Sequence, residues 1–211
     1  MIEHQAIQEP FILPNNNKLP EGINYTFETE RLIIRPLEEQ DREFYISLYT
    51  DKKIMRHICE PFSLEAANKA FSATLRAMHV SVTTLFPKTM TWCIVNKENN
   101  ALLGIQSIDF RETEIIKKDA IGFTTKDEVE FGIILSRQAQ GKQLPQEAII
   151  GLAQFTFGVL KIKRVYCTFN KHNKAVTNFI KKVGFQSSSS IRLVDETKEY
   201  QYLLEASLSN K

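Results

Sequence analysis

The chain has 211 residues, which allows one sizeable core, or at most one domain with appendages. Hydrophobic residues at 43% and charged residues at 25% are the proportions of a soluble globular protein. A net charge of +2, from 27 basic against 25 acidic residues, argues against a dedicated nucleic-acid surface.

The cysteines Cys59, Cys93 and Cys167 are odd in number, far apart and form no C-x-x-C pair. They read as reduced thiols of a cytoplasmic protein rather than a disulfide framework or zinc site. His4, His57, His79 and His172 show no ligand spacing, so no metal is expected. Residues 1–25 contain Glu3, Glu9, Pro10, Pro14 and Pro20 and lack the basic start and apolar run of a secretory signal. The nearly uncharged stretch 148–160 falls short of the roughly 20 residues that span a bilayer. No membrane or nucleic-acid partner is expected.

Residues 1–25 read as a tail or arm, and 26–211 as one domain. The patch Phe11-Ile12-Leu13 would let the arm dock on the domain or on the second subunit of a homodimer. Residues 27–37 predict a first strand. Residues 38–50 place Phe44, Tyr45, Leu48 and Tyr49 at helical spacing, with Asp41 in the first turn. A connection over 51–61 leads to a second helix capped by Ser63 and continuing through Phe71, Leu75 and Met78. Residues 80–88 are ambiguous. Residues 90–96 and 102–110 predict a hairpin turning at 97–100. The charged linker 111–127 is longer than the ~4–6 residues usual between paired elements.

The segment 128–135, EVEFGIIL, is rich in β-branched and aromatic residues and reads as a strand. It breaks over a glycine loop, 136–145, into an apolar-faced helix over 146–160. N–H groups at a helix start have no intrahelical partner and lie at the positive end of the helix dipole. Such a loop either cradles an anion or simply connects strand to helix. Residues 164–169 predict another strand, 174–183 a helix stopped by Gly184, and 191–194 and 199–208 the last strands.

Four stretches together resemble the GCN5-related N-acetyltransferase (GNAT) superfamily, and within it the RimJ/RimL-like ribosomal-protein acetyltransferases. Thr29-Glu30-Arg31-Leu32 with Arg35-Pro36-Leu37 is similar to the family's T-E-R-L-x-L-R-P-L. Glu130 to Leu135 is similar to its E-I-G-Y-W-L, and Gly141-Lys142 with Glu147-Ala148 to its G-K-G-x-x-x-E-A. Residues 173–185, NKAVTNFIKKVGF, keep its N-x-A-S-x-x-V-L-x-K-x-G-F register without a gap. The resemblance implies one domain of the α/β (α+β) class, a mixed, mostly antiparallel sheet flanked by helices. Its fourth and fifth strands would splay apart to hold acetyl-CoA.

The resemblance also implies roles. Ile133, Ile134 and Leu135 would line the pantetheine arm, with Arg137, Gln138, Gly141, Lys142, Gln143 and Leu144 around the pyrophosphate. Gln143 stands where the family has its second glycine or alanine, and Pro145 brings no N–H to the first helical turn. Asn173 would cap its helix and also touch the CoA arm. Glu130, on the strand face opposite Phe131 and Ile133, is the candidate base for a primary amine, with Glu128 as fallback. A base is useful because an α-amino group has a pKa of about 7.7–8.0 and a lysine about 10.4. The family's acid positions carry Val176 and Ile180, so the acid is unassigned. The expected activity is direct acetyl transfer from acetyl-CoA to a protein N-terminus or small-molecule amine. A non-catalytic or weakly active CoA-binding module of the same fold is the alternative.

Overall fold

The computed structural model describes residues 23–56, 58–83, 88–110, 128–139, 143–170, 173–194 and 197–205. The arm before residue 23, the linker 111–127 and the loop residues Gly141 and Lys142 lie outside the described residues. So do residues 84–87 of the ambiguous stretch.

The described strands form one sheet: β1 (Phe27–Glu28), β2 (Leu32–Pro36), β3 (Thr89–Asn96), β4 (Leu102–Phe110), β5 (Glu128–Leu135), β6 (Arg164–Asn170), β7 (Gln186–Val194) and β8 (Thr197–Glu205). Their order is β1-β2-β3-β4-β5-β6-β8-β7. Pairing between neighbours is antiparallel except for β5 with β6, which is parallel. Parallel neighbours need a crossover, and α4 (Leu144–Gly158) supplies it. The remaining helices are α1 (Arg42–Thr50), α2 (Lys52–Met55), α3 (Leu64–Thr83) and α5 (Lys174–Val183).

The expected single strand over 27–37 is instead a short hairpin. The Thr29 hydroxyl accepts from Leu32 N–H at 3.1 Å, and Thr29 N–H donates to Leu32 C=O at 2.9 Å. That turn carries β1 back along β2, with Phe27 opposite Ile34. The expected helix over 38–50 opens as a 3-10 turn, Glu39–Asp41, before α1. The connection after it holds the short α2, capped by Asp51, which accepts from Lys53 and Ile54 N–H. Helix α4 begins two residues earlier than expected, at Leu144, and the serine run ahead of residue 191 is part of β7. Other local signals correspond closely. Ser63 Oγ accepts from Ala66 N–H at the start of α3, and α5 spans Lys174–Val183 before Gly184 at φ 105°.

The sheet is covered on both sides. On one side Val129, Phe131 and Val165 pack with Leu152 and Phe155 of α4 and Ile180 and Val183 of α5. Trp92 is fully buried there and donates its indole N–H to Tyr25 C=O at 2.7 Å. Phe27 stacks on Phe155 at 4.5 Å, so the chain before β2 closes the core over α4. On the other side Cys93, Ile105 and Ile134 pack with Tyr45 and Leu48 of α1 and Phe71 of α3. Alternation along β5 therefore assigns Glu130, Gly132 and Ile134 to the α1/α3 face.

Candidate active site

The strand β5 is paired with β6 over three residues only: Glu128 with Arg164, Val129 with Val165, and Glu130 with Tyr166. Against β4 it is paired along its whole described course, Leu135 lying opposite Gly104. Beyond Glu130 the two parallel strands have parted, so backbone groups of residues 131–135 on that edge are available to something other than β6. The expected divergence of the fourth and fifth strands of a seven-strand reading falls at this point, which the hairpin at the start renumbers as β5 and β6.

Glu130 stands on the α1/α3 face at the last paired row. Asp109 of β4 lies opposite it on one side and Tyr166 of β6 on the other. The row continues to Thr89 of β3, whose hydroxyl donates to Asp109 Oδ1 at 2.7 Å. Opposite residues on neighbouring strands have Cβ atoms about 4.5–5.5 Å apart, so two carboxylates share the mouth of the cleft. Glu128, the fallback base, is ion-paired with Arg164. Cys167 is buried one residue from Tyr166, and burial, with the charge of Glu130, pushes its thiol upward. Cys93 is buried too, its thiol raised by burial and by Asp41 beside it. Neither thiol is placed as an exposed nucleophile.

An aromatic stack borders this row. Tyr45 lies on Tyr49 at 4.5 Å, and Tyr49 on Phe62 at 5.1 Å. A backbone hydrogen bond from Phe62 N–H to Tyr49 C=O ties the segment after α2 to α1. Burial raises the Tyr49 hydroxyl, with Asp109 among the charges adding to the rise.

The other end of the cleft is the turn into α4. Ile134 is buried in the α1/α3 core, while Ile133 and Leu135 are half-buried against the α4 side. Arg137 and Gln138 sit on an exposed 3-10 turn. The Gln138 amide donates to Leu102 C=O at 3.1 Å, so its side chain anchors the turn to β4. Gln143 caps α4 at φ 59°, the left-handed region that favours glycine, which explains why a glycine suits that position. Leu144 is buried, leaving its backbone N–H, with that of Gln146, as first-turn donors on either side of Pro145. Asn173 Oδ1 accepts from Val176 N–H at 3.2 Å, the capping geometry, and Ile180 is core-buried.

Two motifs serve architecture. Glu147 in the first turn of α4 accepts from Thr29 Oγ1 at 2.5 Å, from Arg31 N–H at 2.7 Å and from Arg31 Nε at 2.6 Å. Burial pushes its carboxyl up, but these hydrogen bonds outweigh burial and hold it below the ordinary range. Arg35 grips Asp41 with both Nη atoms, at 2.8 and 2.7 Å, and Glu38 N–H adds a third bond at 2.8 Å.

The sequence profile of the acetyltransferase (GNAT) domain matches residues 31–186, more than half of the chain. The chain belongs to the GNAT family. As a GNAT it is an N-acetyltransferase, from a family that uses acetyl-CoA. Solved structures with the same fold include a GNAT-family acetyltransferase from Bacillus anthracis, at 19% identity and TM-score 0.66, covering 86% of this chain and 98% of that one. A spermidine N-acetyltransferase from Vibrio cholerae, solved with CoA and spermine, aligns at 17% identity and TM-score 0.64 over 84% and 96%. RimL, a ribosomal L7/L12 alpha-N-protein acetyltransferase in complex with CoA, aligns at 14% and 0.68 over 86% and 98%. Among the described residues of this GNAT no group of three or more His, Cys, Asp or Glu could hold a metal ion. No described helix is long and apolar enough to cross a membrane.

Asp109, Tyr166, Tyr49 and Phe62 are not singled out by any sequence motif. The available signal for Asp109 was its place in alternation with Ser107 and Ile105 on one face of a predicted strand.

Proposed function

We propose that this GNAT binds acetyl-CoA between β5 and β6 and transfers the acetyl group directly to a primary amine. The observation that carries the reading is the end of β5–β6 pairing at Glu130 and Tyr166, one strand-length below the start of α4. The unpaired edge of residues 131–135 offers backbone groups to an amide-bearing arm, and the Leu144 and Gln146 N–H groups meet an anion at the dipole's positive end. These features fit the donor. Backbone N–H groups on that edge polarise the thioester carbonyl. Cys93 and Cys167 are buried, and the exposed Cys59 has its thiol pushed up by burial and by the charge of Glu60, which favours direct transfer over a cysteine acyl-enzyme.

In this reading Glu130 accepts a proton from the acceptor ammonium, freeing the nitrogen lone pair to attack. The C–S bond breaks as the C–N bond forms. The second proton lost by nitrogen goes to the departing thiolate, whose conjugate acid has a pKa of about 8.5, so a dedicated acid is not required. The acceptor belongs to the RimJ/RimL-like range, a protein N-terminus or a small amine.

The test is a pH–rate profile of acetyl transfer for the wild type and Glu130→Gln. The reading expects a loss of about 10²–10⁴-fold in kcat for the variant, the usual worth of a general base. Equal rates for the two proteins would remove Glu130 from the mechanism.

A further inference from the structure

We propose that the Thr168 hydroxyl donates a hydrogen bond to the sulfur of the donor thioester and steadies it as the thiolate departs. The inference rests on the acetyl-transfer reading and deepens it. It supplies a donor on the leaving-group side, where Val176 and Ile180 have none to offer.

The last paired row of β5 and β6 is Glu130 with Tyr166, and two positions on the strands carry Gly132 and Thr168. Val165 and Cys167 pack on the α4 and α5 side, so alternation turns Tyr166 and Thr168 to the α1/α3 face, with Glu130 and Gly132. Thr168 is thus the first residue of β6 past the parting to carry its side chain on the face of the proposed base. Two independent observations point to a ligand at this row. Thr168 Oγ1 is buried and has no hydrogen-bond partner among the described residues. A buried hydroxyl left unpaired bears its whole desolvation cost, whereas the hydroxyls of Thr29, Thr50, Thr89 and Thr177 are all hydrogen-bonded. Of the residues with such orphaned atoms, Gln106, Ser136, Thr156 and Thr168, the last is the one on the β6 flank. Across the gap, a Cβ placed on Gly132 would meet Ser107 Oγ at 2.7 Å and no other non-neighbouring atom within 4 Å. That strand therefore leaves open space at the row where Thr168 holds an unused donor.

The two flanks of the gap divide the work. Backbone N–H groups of β5 hold the carbonyl oxygen, so the sulfur lies toward β6. A turn of χ1 between staggered wells brings the Thr168 hydroxyl to it. When the amine nitrogen attacks, the C–S bond breaks and its electron pair stays on sulfur. A hydrogen bond to an ionised acceptor is roughly twice as strong as one to a neutral acceptor. The Thr168 bond is therefore stronger to the departing thiolate than to the thioester, and this difference lowers the barrier. Thr168 keeps its proton throughout, and the thiolate takes the second proton lost by nitrogen.

The test uses full-length wild type, Thr168→Val, which keeps the shape without the hydroxyl, Thr168→Ser, which keeps the hydroxyl, and Glu130→Gln. Transfer to a diamine and to a short peptide with a free N-terminus gives kcat and the acetyl-CoA KM. Ultraviolet absorbance of the thiolate gives the pKa of the CoA thiol bound to each protein. Thr168→Val is expected to lower kcat about 10-fold or more, with the acetyl-CoA KM within about twofold. It should raise the pKa of the bound thiol by about one unit, the same factor of ten. Its Tm should stay level or rise, because an orphaned buried hydroxyl gives way to a methyl group. Thr168→Ser should recover most of kcat and of the thiol pKa. A bound-thiol pKa unchanged in Thr168→Val overturns the inference, whether or not Tm and kcat have fallen. Failure of the base reading is distinguishable: Glu130→Gln would then keep full kcat while Thr168→Val still shifted the thiol. Should wild type acetylate neither amine, the thiol titration with CoA alone still decides, and a wild type that binds no CoA overturns the inference together with the reading beneath it.

Discussion

Replacing Glu147 by alanine tests how the first turn of α4 is held. Its carboxylate receives three hydrogen bonds from the turn at Thr29 and Arg31, a segment more than a hundred positions away in sequence. Hydrogen bonds to a charged group contribute about 1.5–3 kcal/mol when shielded. Arg31 is 45% exposed, so its ionic share is discounted to at most about 1 kcal/mol. The Thr29 hydroxyl and Arg31 N–H bonds remain, and an acid in the first helical turn adds about 0.3–1 kcal/mol. The expected loss is about 3 kcal/mol at pH 7. For a domain of this size that corresponds to a fall in Tm of about 6–12 °C.

Urea or thermal unfolding measures the loss, and Thr29→Val with Glu147→Ala completes a double-mutant cycle. Because both ends of one bond are removed, the coupling should be about 1 kcal/mol or more. The pH dependence has a definite sign. A carboxyl held below its ordinary pKa stabilises the fold above the unfolded value of about 4.3, and loses that contribution as pH falls through the folded value. Wild type and Glu147→Ala should therefore converge in Tm in acid. A Glu147→Ala protein within about 0.5 kcal/mol of wild type at pH 7 would refute the reasoning.

Three further substitutions probe neighbouring parts of the fold. Asp41→Asn leaves the Arg35 guanidinium facing a neutral amide at a site where Asp41 is 1% exposed, and should cost about 3–5 kcal/mol in urea unfolding. Burial raises the Asp41 carboxyl but Arg35 and the Glu38 N–H lower it further, so its contribution too is expected to fade in acid. Gly104→Ala would bring a Cβ to 2.5 Å from Ile134 O and 2.7 Å from Leu135 Cδ2. It should cost about 1–3 kcal/mol and weaken CoA binding in calorimetry, because β5 must shift at the residues proposed to line the donor. Gln143→Gly relieves a left-handed non-glycine cap at φ 59° and should gain about 0.5–1 kcal/mol by thermal unfolding, with CoA affinity retained or improved; a loss of stability would contradict the strain argument.

The elements that were legible from sequence are those specified by their own neighbours. Helix α5 has its stop signal at Gly184 and its cap at Asn173 a turn or less from the residues they act on. Ser63 marks the start of α3 for the same reason. The hairpin at Thr29–Arg31 was read as one straight strand because the group that secures its bend, Glu147, comes from α4. The serine run in β7 has poor strand propensity; Ser187 pairs with Tyr202 and Ile191 with Tyr200, so β8 holds the run at both ends across a register shift. For the site, the motifs single out Glu130, which β5 carries on the face toward α1 and α3. They left Asp109 unnoticed, since its significance comes from cross-strand register with Glu130 and from Thr89 behind it. Tyr166 carries no local motif either. The parallel pairing with β5 puts it beside Glu130.

The most direct test of the account is mass spectrometry of a primary-amine panel incubated with acetyl-CoA and the wild-type protein. The account predicts an acetylated amine product, formed at a rate that Glu130→Gln reduces by about 10²-fold or more. Tight CoA binding with no acetylated product from any amine would contradict it and leave a fold that holds the donor without using it.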